Sequence, residues 1–228
     1  MFISVPSTCA VCHAWPGRPV CAACCARFAP YQQRCGRCAV AVPAHQSACG
    51  RCLTTPPPLD ASFAAVDYAY PWSGLITAFK FRSQPGLAGP LAQLLRDAPG
   101  VQGALDAARI VLPMPLSAQR LAERGYNQAW LLARQLAPQK ATAQVLLRTR
   151  DTPPQNKLDR QARLDNVRHA FVMDPLRATE MAGQKVLLVD DVMTSGASLY
   201  AVALALRQAG AASVSAVVLA RTPEPNAE

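Results

Sequence analysis

The clearest hydrophobic pattern of the chain lies near its C-terminal end. Four consecutive apolar residues, 186–189, precede Asp190 and Asp191, and a turn rich in small residues follows over 194–198. Beyond the turn, apolar residues recur at helical spacing, and Gly210 stands where a helix would end. The pattern predicts a buried parallel strand, a tight loop and a helix, in that order. The apolar helix positions are Leu199, Val202, Leu206 and Ala209.

Strand-like and helix-like patterns alternate along most of the chain between residues 60 and 220. A helical pattern over 117–138 is broken at Gly125, where Asn127 can cap the second part. Such alternation is typical of an α/β domain with a mostly parallel sheet. Short strands are predicted at 61–70, 108–113, 145–148, 170–173 and 213–220, and helices at 74–81 and 89–96.

The loop that follows the acidic pair has the composition of a phosphate site. Its backbone N–H groups, its hydroxyls and the positive end of the following helix all favour a bound phosphate. Asp190 and Asp191 are hydrogen-bond acceptors that suit sugar hydroxyls or a Mg²⁺ ion carried by a phosphate ligand. Together these features predict a ribose 5-phosphate site. The loop residues are Thr194, Ser195, Gly196, Ala197 and Ser198.

All nine cysteines precede residue 53, and eight of them form four Cys-x-x-Cys pairs. Two such pairs can complete a tetrahedral zinc site, so the spacing predicts two structural Zn²⁺ ions. Pairing the first with the third pair instead stays open. Cys25 either packs or takes the place of Cys24. The predicted ligands are Cys9, Cys12, Cys21 and Cys24 for one ion and Cys35, Cys38, Cys49 and Cys52 for the other.

Three prolines at 56–58 predict a stiff spacer. We therefore predict a small Cys₄ double zinc ribbon domain over 1–55 and an α/β domain over 60–228. The formal net charge is +9, but a Cys₄ zinc centre carries a charge of about −2, which makes the first domain less basic than it looks. The chain has neither a signal-peptide pattern nor a run of about 20 apolar residues. These absences predict a cytoplasmic protein without membrane insertion.

The stretch 148–168 has six basic residues against three acids and is long for an internal connection. Long polar connections often serve as lids, and arginines such as Arg163 match the oxygens of a pyrophosphate. A solvated helix face with Asp/Arg pairs is the alternative. Arg120 and Arg124 are open to both interpretations, and Lys80 is taken by default as a surface lysine.

The run 185–198 resembles the phosphoribosyl pyrophosphate (PRPP) signature of type I phosphoribosyltransferases. With the segments 112–117 and 124–129 and the four cysteine pairs in front, nearly the whole chain resembles the ComF family, of the ComFC/GntX type. That family joins a double zinc ribbon to a phosphoribosyltransferase-like domain. The resemblance implies that Asp190 and Asp191 contact the ribose and that the loop holds the 5-phosphate. It also implies catalytic roles for both acids, Arg124 and Arg163, with Mg²⁺ accompanying PRPP.

The ComF family is associated with natural competence, which implies single-stranded DNA and other competence proteins as further partners. Two classes of function compete at this point. One is transfer of a phosphoribosyl group from PRPP to a nitrogen acceptor. The other is a non-catalytic module that senses PRPP or a nucleotide, or that binds single-stranded DNA. A structural adaptor stapled by zinc ranks last, since it leaves the phosphate loop without a use.

Overall fold

The structure is a computed structural model that describes residues 7–15, 18–148 and 171–223. Its centre is a four-stranded sheet in which all neighbouring strands are parallel, in the order β1-β6-β5-β2. A separate antiparallel pair joins β3 to β4. The strands are β1 (Ser62–Asp67), β2 (Ile110–Pro113), β3 (Leu146–Arg148), β4 (Phe171–Met173), β5 (Lys185–Met193) and β6 (Ser213–Arg221). The predicted α/β class with a mostly parallel sheet is confirmed.

The described helices lie before the sheet and between its strands. They are α1 (Ala22–Phe28), α2 (Gly50–Thr54), α3 (Trp72–Phe81), α4 (Ala88–Arg96), α5 (Val101–Ala107), α6 (Ala118–Arg124), α7 (Gln128–Leu136) and α8 (Ala197–Gln208). Short 3₁₀ turns cover Pro85–Leu87 and Ala178–Met181. Among the described residues, no helix combines the length and apolarity needed to cross a lipid bilayer.

Local capping explains the helix boundaries around residue 125. The Ser117 hydroxyl accepts a hydrogen bond from the Arg120 N–H at the start of α6, and Gly125 ends that helix at a φ of 76°. The Asn127 side chain then accepts a bond from the Trp130 N–H and starts α7. The predicted break is confirmed. Helix α5 was missed because Gly103 lowers its helix propensity, although Val101 and Leu105 bury one face.

Strand β5 runs beyond its apolar residues and includes both acids. Asp190 lies beside Val218 of β6, and the pairing continues to Met193 beside Arg221. The strand is central, so β6 supplies backbone hydrogen bonds for as long as it runs alongside. Tertiary pairing therefore keeps the strand extended through both acids and as far as Met193, directly before the loop predicted over 194–198.

The two cysteine groups pack on opposite faces of the sheet. Alternate residues of β5 point to different faces, with Leu187 in the core that contains Cys9 and Cys24 and Leu188 in the core that contains Cys38. The N-terminal segment is thus built into both hydrophobic cores. Polar contacts add to this packing: the Trp72 indole N–H donates to the Phe28 carbonyl at 2.7 Å, and Arg34 pairs with Asp67 at 2.8 Å. The division into 1–55 and 60–228 stays a prediction about folding units.

Candidate functional site

A cavity of about 400 Å³ lies at the carboxyl ends of the central strands. This edge is where parallel sheets usually bind ligands. Five residues singled out from the sequence as site residues line it: Asp190, Asp191, Thr194, Ser198 and Arg124. The other residues that line the cavity are Tyr68, Lys80, Phe81, Met114, Pro115, Arg120, Arg148, Phe171 and Val192. The fold therefore brings the acids, part of the loop and three arginines to one place.

One lysine contacts the acidic pair, through Asp191. The ammonium of Lys80 lies 2.8 Å from Asp191 Oδ1, and both side chains are largely buried, with exposed fractions of 17% and 11%. The default reading of Lys80 as a surface residue is wrong, because α3 ends at the cavity and directs its last turn inward. The periodicity of α3 shows which residues are buried, but it does not reveal an acid from a distant strand.

Asp190 has a different environment from Asp191. The backbone N–H of Asp191 donates to Asp190 Oδ1 at 2.9 Å. Burial raises the pKa of Asp190 to about 7, and the neighbouring charge of Asp191 adds to this shift, while Lys80 and Arg148 oppose it. The two carboxyls thus differ: Asp191 has a cation in contact, whereas Asp190 holds its proton up to nearly neutral pH.

The loop after β5 has the geometry of an anion-binding turn. Gly196 has a φ of 82° and precedes the twelve-residue helix α8. A Cβ at this glycine would lie 2.5 Å from the Tyr200 ring and 2.6 Å from Met193 Cε, so both side chains would have to move, and the positive φ itself favours glycine. The backbone N–H groups of Thr194, Ser195 and Gly196 find no acceptor among the described residues. Unpaired N–H groups beside a helix N-terminus are what a phosphate needs.

The segment 124–129 supports the cavity: Arg124 lines it, and Tyr126 and Asn127 anchor neighbouring elements. The Arg124 guanidinium lies 4.8 Å from the centre of the Phe81 ring and donates to Gln128 Oε1 at 3.1 Å. The Tyr126 hydroxyl donates to the Phe79 carbonyl, which fixes the end of α3 that carries Lys80. The Asn127 amide donates to the Met114 carbonyl at 3.0 Å and anchors the turn after β2.

A second arginine on the rim comes from β3. Arg148 lies 5.4 Å from the centre of the Phe171 ring, and both residues line the cavity. Its place at the start of a polar stretch gave a signal in the sequence, although its partner in β4 could not be foreseen. The predicted catalytic Arg163 and the rest of the proposed lid, 149–168, lie outside the described residues. Their roles stay predictions.

Arg221 is a buried residue behind the loop that the sequence analysis did not single out. It is 2% exposed, and its guanidinium donates to four backbone carbonyls: those of Cys38 (2.9 Å), Met193 (3.1 Å), Thr194 (2.5 Å) and Thr222 (2.6 Å). Within the described part of the chain it forms no ion pair with a carboxylate. A charged residue after an apolar strand pattern is typical of a strand end at the surface, so the pattern was misleading.

The cysteines form two clusters in which consecutive pairs combine. The four Sγ atoms of each group lie within 4.8 Å of one another. The alternative that joins the first pair to the third is wrong. Cys25 belongs to neither group and packs against one of the two cores, as expected if it only packs. The groups are Cys9, Cys12, Cys21 and Cys24, and Cys35, Cys38, Cys49 and Cys52.

The sulfur geometry fits a tetrahedral metal. Zinc–sulfur bonds of about 2.3 Å place the sulfurs of a tetrahedron about 3.8 Å apart. The observed Sγ–Sγ distances are 3.9 Å for Cys9 and Cys24, and 3.6 Å for Cys38 and Cys49. Burial raises the pKa of the Cys9 thiol, but bonds from backbone N–H groups outweigh it and lower the pKa to about 6. Such N–H bonds favour the thiolate that a metal requires.

A larger cavity of about 680 Å³ lies between the cysteine segment and α4. Alanine and proline make up about half of its lining, and it contains neither the acidic pair nor the loop after β5. The smaller cavity holds the groups that can bind a charged sugar phosphate, and it is the candidate functional site.

Comparison with known proteins agrees with this geometry. Residues 121–228 match the family described as Phosphoribosyl transferase domain. The fold and this match define a phosphoribosyltransferase-like α/β protein that carries two Cys₄ groups in its N-terminal segment. The chain is 32% identical over 178 residues to the DNA utilization protein YhgH of Salmonella typhi, covering 73% of this chain and 74% of that one. It is 34% identical over 161 residues to competence protein F of Haemophilus influenzae, covering 68% and 69%.

The chain therefore belongs to the ComF family, and the predicted resemblance is confirmed. A solved structure described as the allosteric regulatory enzyme of purine biosynthesis is 17% identical, with a TM-score of 0.40, and the match covers 63% of this chain and 30% of that one. That likeness is too weak for an argument, and the assignment does not depend on it.

Proposed function

We propose that this protein binds PRPP together with Mg²⁺ in the cavity at the end of β5. The observation that supports the proposal best is the arrangement of three kinds of group around one space. The cavity is lined by two carboxylates, by three arginines and by a loop whose N–H groups at 194–196 have no acceptor among the described residues. PRPP carries its ribose, its 5-phosphate and its pyrophosphate in a matching order.

Each part of PRPP has a proposed partner in this arrangement. Asp190 and Asp191 accept hydrogen bonds from the ribose hydroxyls. The N–H groups and hydroxyls of Thr194–Ser198 hold the 5-phosphate at the start of α8. The guanidinium groups of Arg120, Arg124 and Arg148 face the pyrophosphate, since their forked donors match phosphate oxygens. Arg163 is proposed to join them. Magnesium, when bound with PRPP, supplies positive charge to the pyrophosphate.

The proposed reaction is transfer of the phosphoribosyl group to a nitrogen acceptor. The bond between the anomeric carbon and the pyrophosphate oxygen breaks, a carbon–nitrogen bond forms, and pyrophosphate leaves. The protein contributes by positioning the ribose and by stabilising the negative charge of the leaving group. The carboxylates thus serve to position the ribose, and the arginines serve to stabilise the pyrophosphate. The two cysteine clusters are proposed to hold structural Zn²⁺ ions, and we propose a cytoplasmic location, where thiols stay reduced.

Isothermal titration of the purified protein with PRPP and Mg²⁺ tests the binding proposal. We expect PRPP to bind, and ribose 5-phosphate to bind more weakly because it lacks the pyrophosphate. The Arg124→Ala variant should lose affinity for PRPP and keep its affinity for ribose 5-phosphate. Absence of heat at millimolar PRPP would refute the proposal. Release of pyrophosphate in the presence of nucleobases would then separate an enzyme from a PRPP sensor.

A second candidate function is weak binding of single-stranded DNA. It rests on the lining of the cavity, where Arg124 lies over the ring of Phe81, which is 65% exposed, and where Arg120 and Arg148 add positive charge. Exposed aromatic rings stack on bases, and arginines contact phosphates. The names of the relatives, which mention DNA utilization and competence, point the same way and suggest other competence proteins as partners. Fluorescence anisotropy with a labelled oligonucleotide should show binding that falls steeply as salt rises.

A further inference from the structure

The second cysteine cluster lies directly behind the phosphate loop, and a single side chain touches both. Arg221 donates from Nε to the carbonyl of Cys38, one of the cluster's four ligands, at 2.9 Å. From Nη1 it donates to the carbonyls of Met193 and Thr194, where β5 becomes the loop. The guanidinium is rigid and planar, so these carbonyls cannot move independently of one another.

The contacts of Arg221 set the direction of the loop's own N–H groups. A peptide unit is planar and trans, so its C=O and N–H bonds point in opposite directions. When the Met193 and Thr194 carbonyls point at Arg221, the N–H groups of Thr194 and Ser195 must point away from it. Those are two of the three N–H groups that have no acceptor among the described residues. The Met193 carbonyl also accepts a hydrogen bond from the Thr222 N–H at 3.0 Å, so Arg221 acts above all on the Thr194 carbonyl and hence on the direction of the Ser195 N–H.

The buried charge of Arg221 also needs compensation. The residue is 2% exposed and has no carboxylate partner within the described part of the chain. A cation in this position is costly unless negative charge lies near it. A Cys₄ cluster that holds a divalent metal carries a charge of about −2, and the Cys38 carbonyl contact brings Arg221 to its edge. With a metal bound, the cluster would be both a mechanical support and a counter-charge for the arginine.

We propose that Arg221 is a positioning residue that couples metal binding at Cys35, Cys38, Cys49 and Cys52 to phosphate binding at Thr194–Ser198. An ordered, metal-loaded cluster fixes Arg221, and Arg221 fixes the loop in the form that accepts a phosphate. Coupling of this kind is reciprocal, so a phosphate in the loop also stabilises the metal in the cluster. The inference rests on the proposed function, because it requires the loop to bind the 5-phosphate.

Arg34 offers a matched control. It donates to the carbonyl of Ala39, the residue after Cys38, at 3.1 Å, and it pairs with Asp67 at the end of β1. Arg34 thus fastens the same cysteine turn to the sheet through an arginine, but without contact to the phosphate loop. A variant at Arg34 removes the contact between the cysteine turn and the sheet. A variant at Arg221 removes the contact between the cysteine turn and the phosphate loop.

The first test measures the affinity for ribose 5-phosphate and for pyrophosphate by titration calorimetry. Arg221→Met should weaken ribose 5-phosphate binding by about tenfold, within the range usual for coupled sites, and leave pyrophosphate binding unchanged. Arg221→Lys should recover part of the loss, because an ammonium can still reach some of the carbonyls. Arg34→Met should lower the melting temperature without changing either affinity. A purely structural role for Arg221 would instead weaken both ligands alike.

The second test uses the unaltered protein and remains valid if the variants do not fold. The zinc-loaded protein is mixed with a chelator and a thiol-alkylating reagent, and peptide mass spectrometry follows alkylation at each cysteine. Ribose 5-phosphate should slow alkylation of Cys35, Cys38, Cys49 and Cys52 and leave Cys9, Cys12, Cys21 and Cys24 unaffected. Equal protection of both groups, or of neither, would overturn the coupling.

The outcomes separate the two proposals. If the unaltered protein binds ribose 5-phosphate and Arg221→Met binds it equally well, the coupling is refuted and the proposed function stands. If the unaltered protein binds neither ribose 5-phosphate nor PRPP, the proposed function is refuted and the coupling with it.

Discussion

Lys80 and Asp191 form a buried ion pair of 2.8 Å across the floor of the cavity. The lysine comes from the last turn of α3 and the aspartate from the central strand β5. Two neighbouring carboxylates facing a ligand with several negative charges would repel it, so one fixed cation among them lowers the electrostatic cost. The pair thus makes an acidic site compatible with an anionic sugar.

The pair yields a first prediction. Lys80→Met should weaken binding of PRPP with Mg²⁺ by about 1–3 kcal/mol, the range for a lost interaction with a charged group, and Asp191→Asn should do the same. Because the two residues are in contact, the double variant should lose less than the sum of the two effects. Calorimetry on the three variants measures this coupling.

Lys140→Met is the control for the loss of a lysine. The Lys140 ammonium donates to the Leu105 carbonyl at 2.8 Å, outside the cavity. Its replacement should leave PRPP affinity unchanged. Additive losses in the double variant would show that the ion pair has no role in binding.

Asp190 predicts a pH dependence. Its pKa in the folded protein is about 7, against an ordinary value of 3.8. The free energy of unfolding therefore falls as the pH rises from 3.8 through 7, because the buried carboxyl must then ionise. Ribose hydroxyls and Mg²⁺ favour the ionised form, and the affinity for PRPP with Mg²⁺ should therefore rise as pH increases through 7. Titrations at several pH values and constant ionic strength measure the change.

Asp190→Asn separates this effect from ionisation of the ligand. Phosphate groups of the ligand also titrate near pH 6, and that part should persist in the variant. The change in PRPP affinity that is centred near pH 7 should be absent in Asp190→Asn. A variant with the same pH profile as the unaltered protein would contradict the assignment to Asp190.

We expect a side chain at Gly196 to weaken phosphate binding, and a side chain at Gly183 to leave it unchanged. Gly196→Ala forces a side chain into the space of Tyr200 and Met193 at a φ of 82°, so ribose 5-phosphate affinity should fall. Gly183 has a φ of 72° and no atom within 4 Å of an added Cβ. Gly183→Ala should therefore show only the backbone strain, about 1 kcal/mol of stability, and bind normally. Equal affinities in the two variants would mean that crowding at Gly196 is unimportant.

The cysteine clusters predict the metal content. The purified protein should hold two Zn²⁺ ions per chain, and Cys38→Ser should hold one. Since Cys38 lies in the core that also contains Leu188 and Leu199, its loss should lower the melting temperature of the whole protein. Cys25→Ser, outside both clusters, should keep two ions. Elemental analysis and thermal unfolding measure both quantities, and one ion in the unaltered protein would contradict the assignment.

The sequence by itself determined the features that depend on neighbours along the chain. Cys-x-x-Cys spacing lets two thiolates reach one metal, and the order of strand, acids, loop and helix around Asp190 and Asp191 is local. Capping by Asn127 is also local, and it was predicted correctly. Helix α5 was missed because its short apolar pattern carries a glycine and is completed only by packing.

Only the tertiary structure decided which distant residues meet. Consecutive cysteine pairs and crossed pairs satisfy the same spacing, and packing on the two faces of the sheet selects the first. Lys80 meets Asp191 because α3 ends above β5, and Arg221 meets Cys38 across 183 positions because β6 lies between β1 and β5. Periodicity records whether a residue is buried, and the identity of its partner depends on the order of the strands.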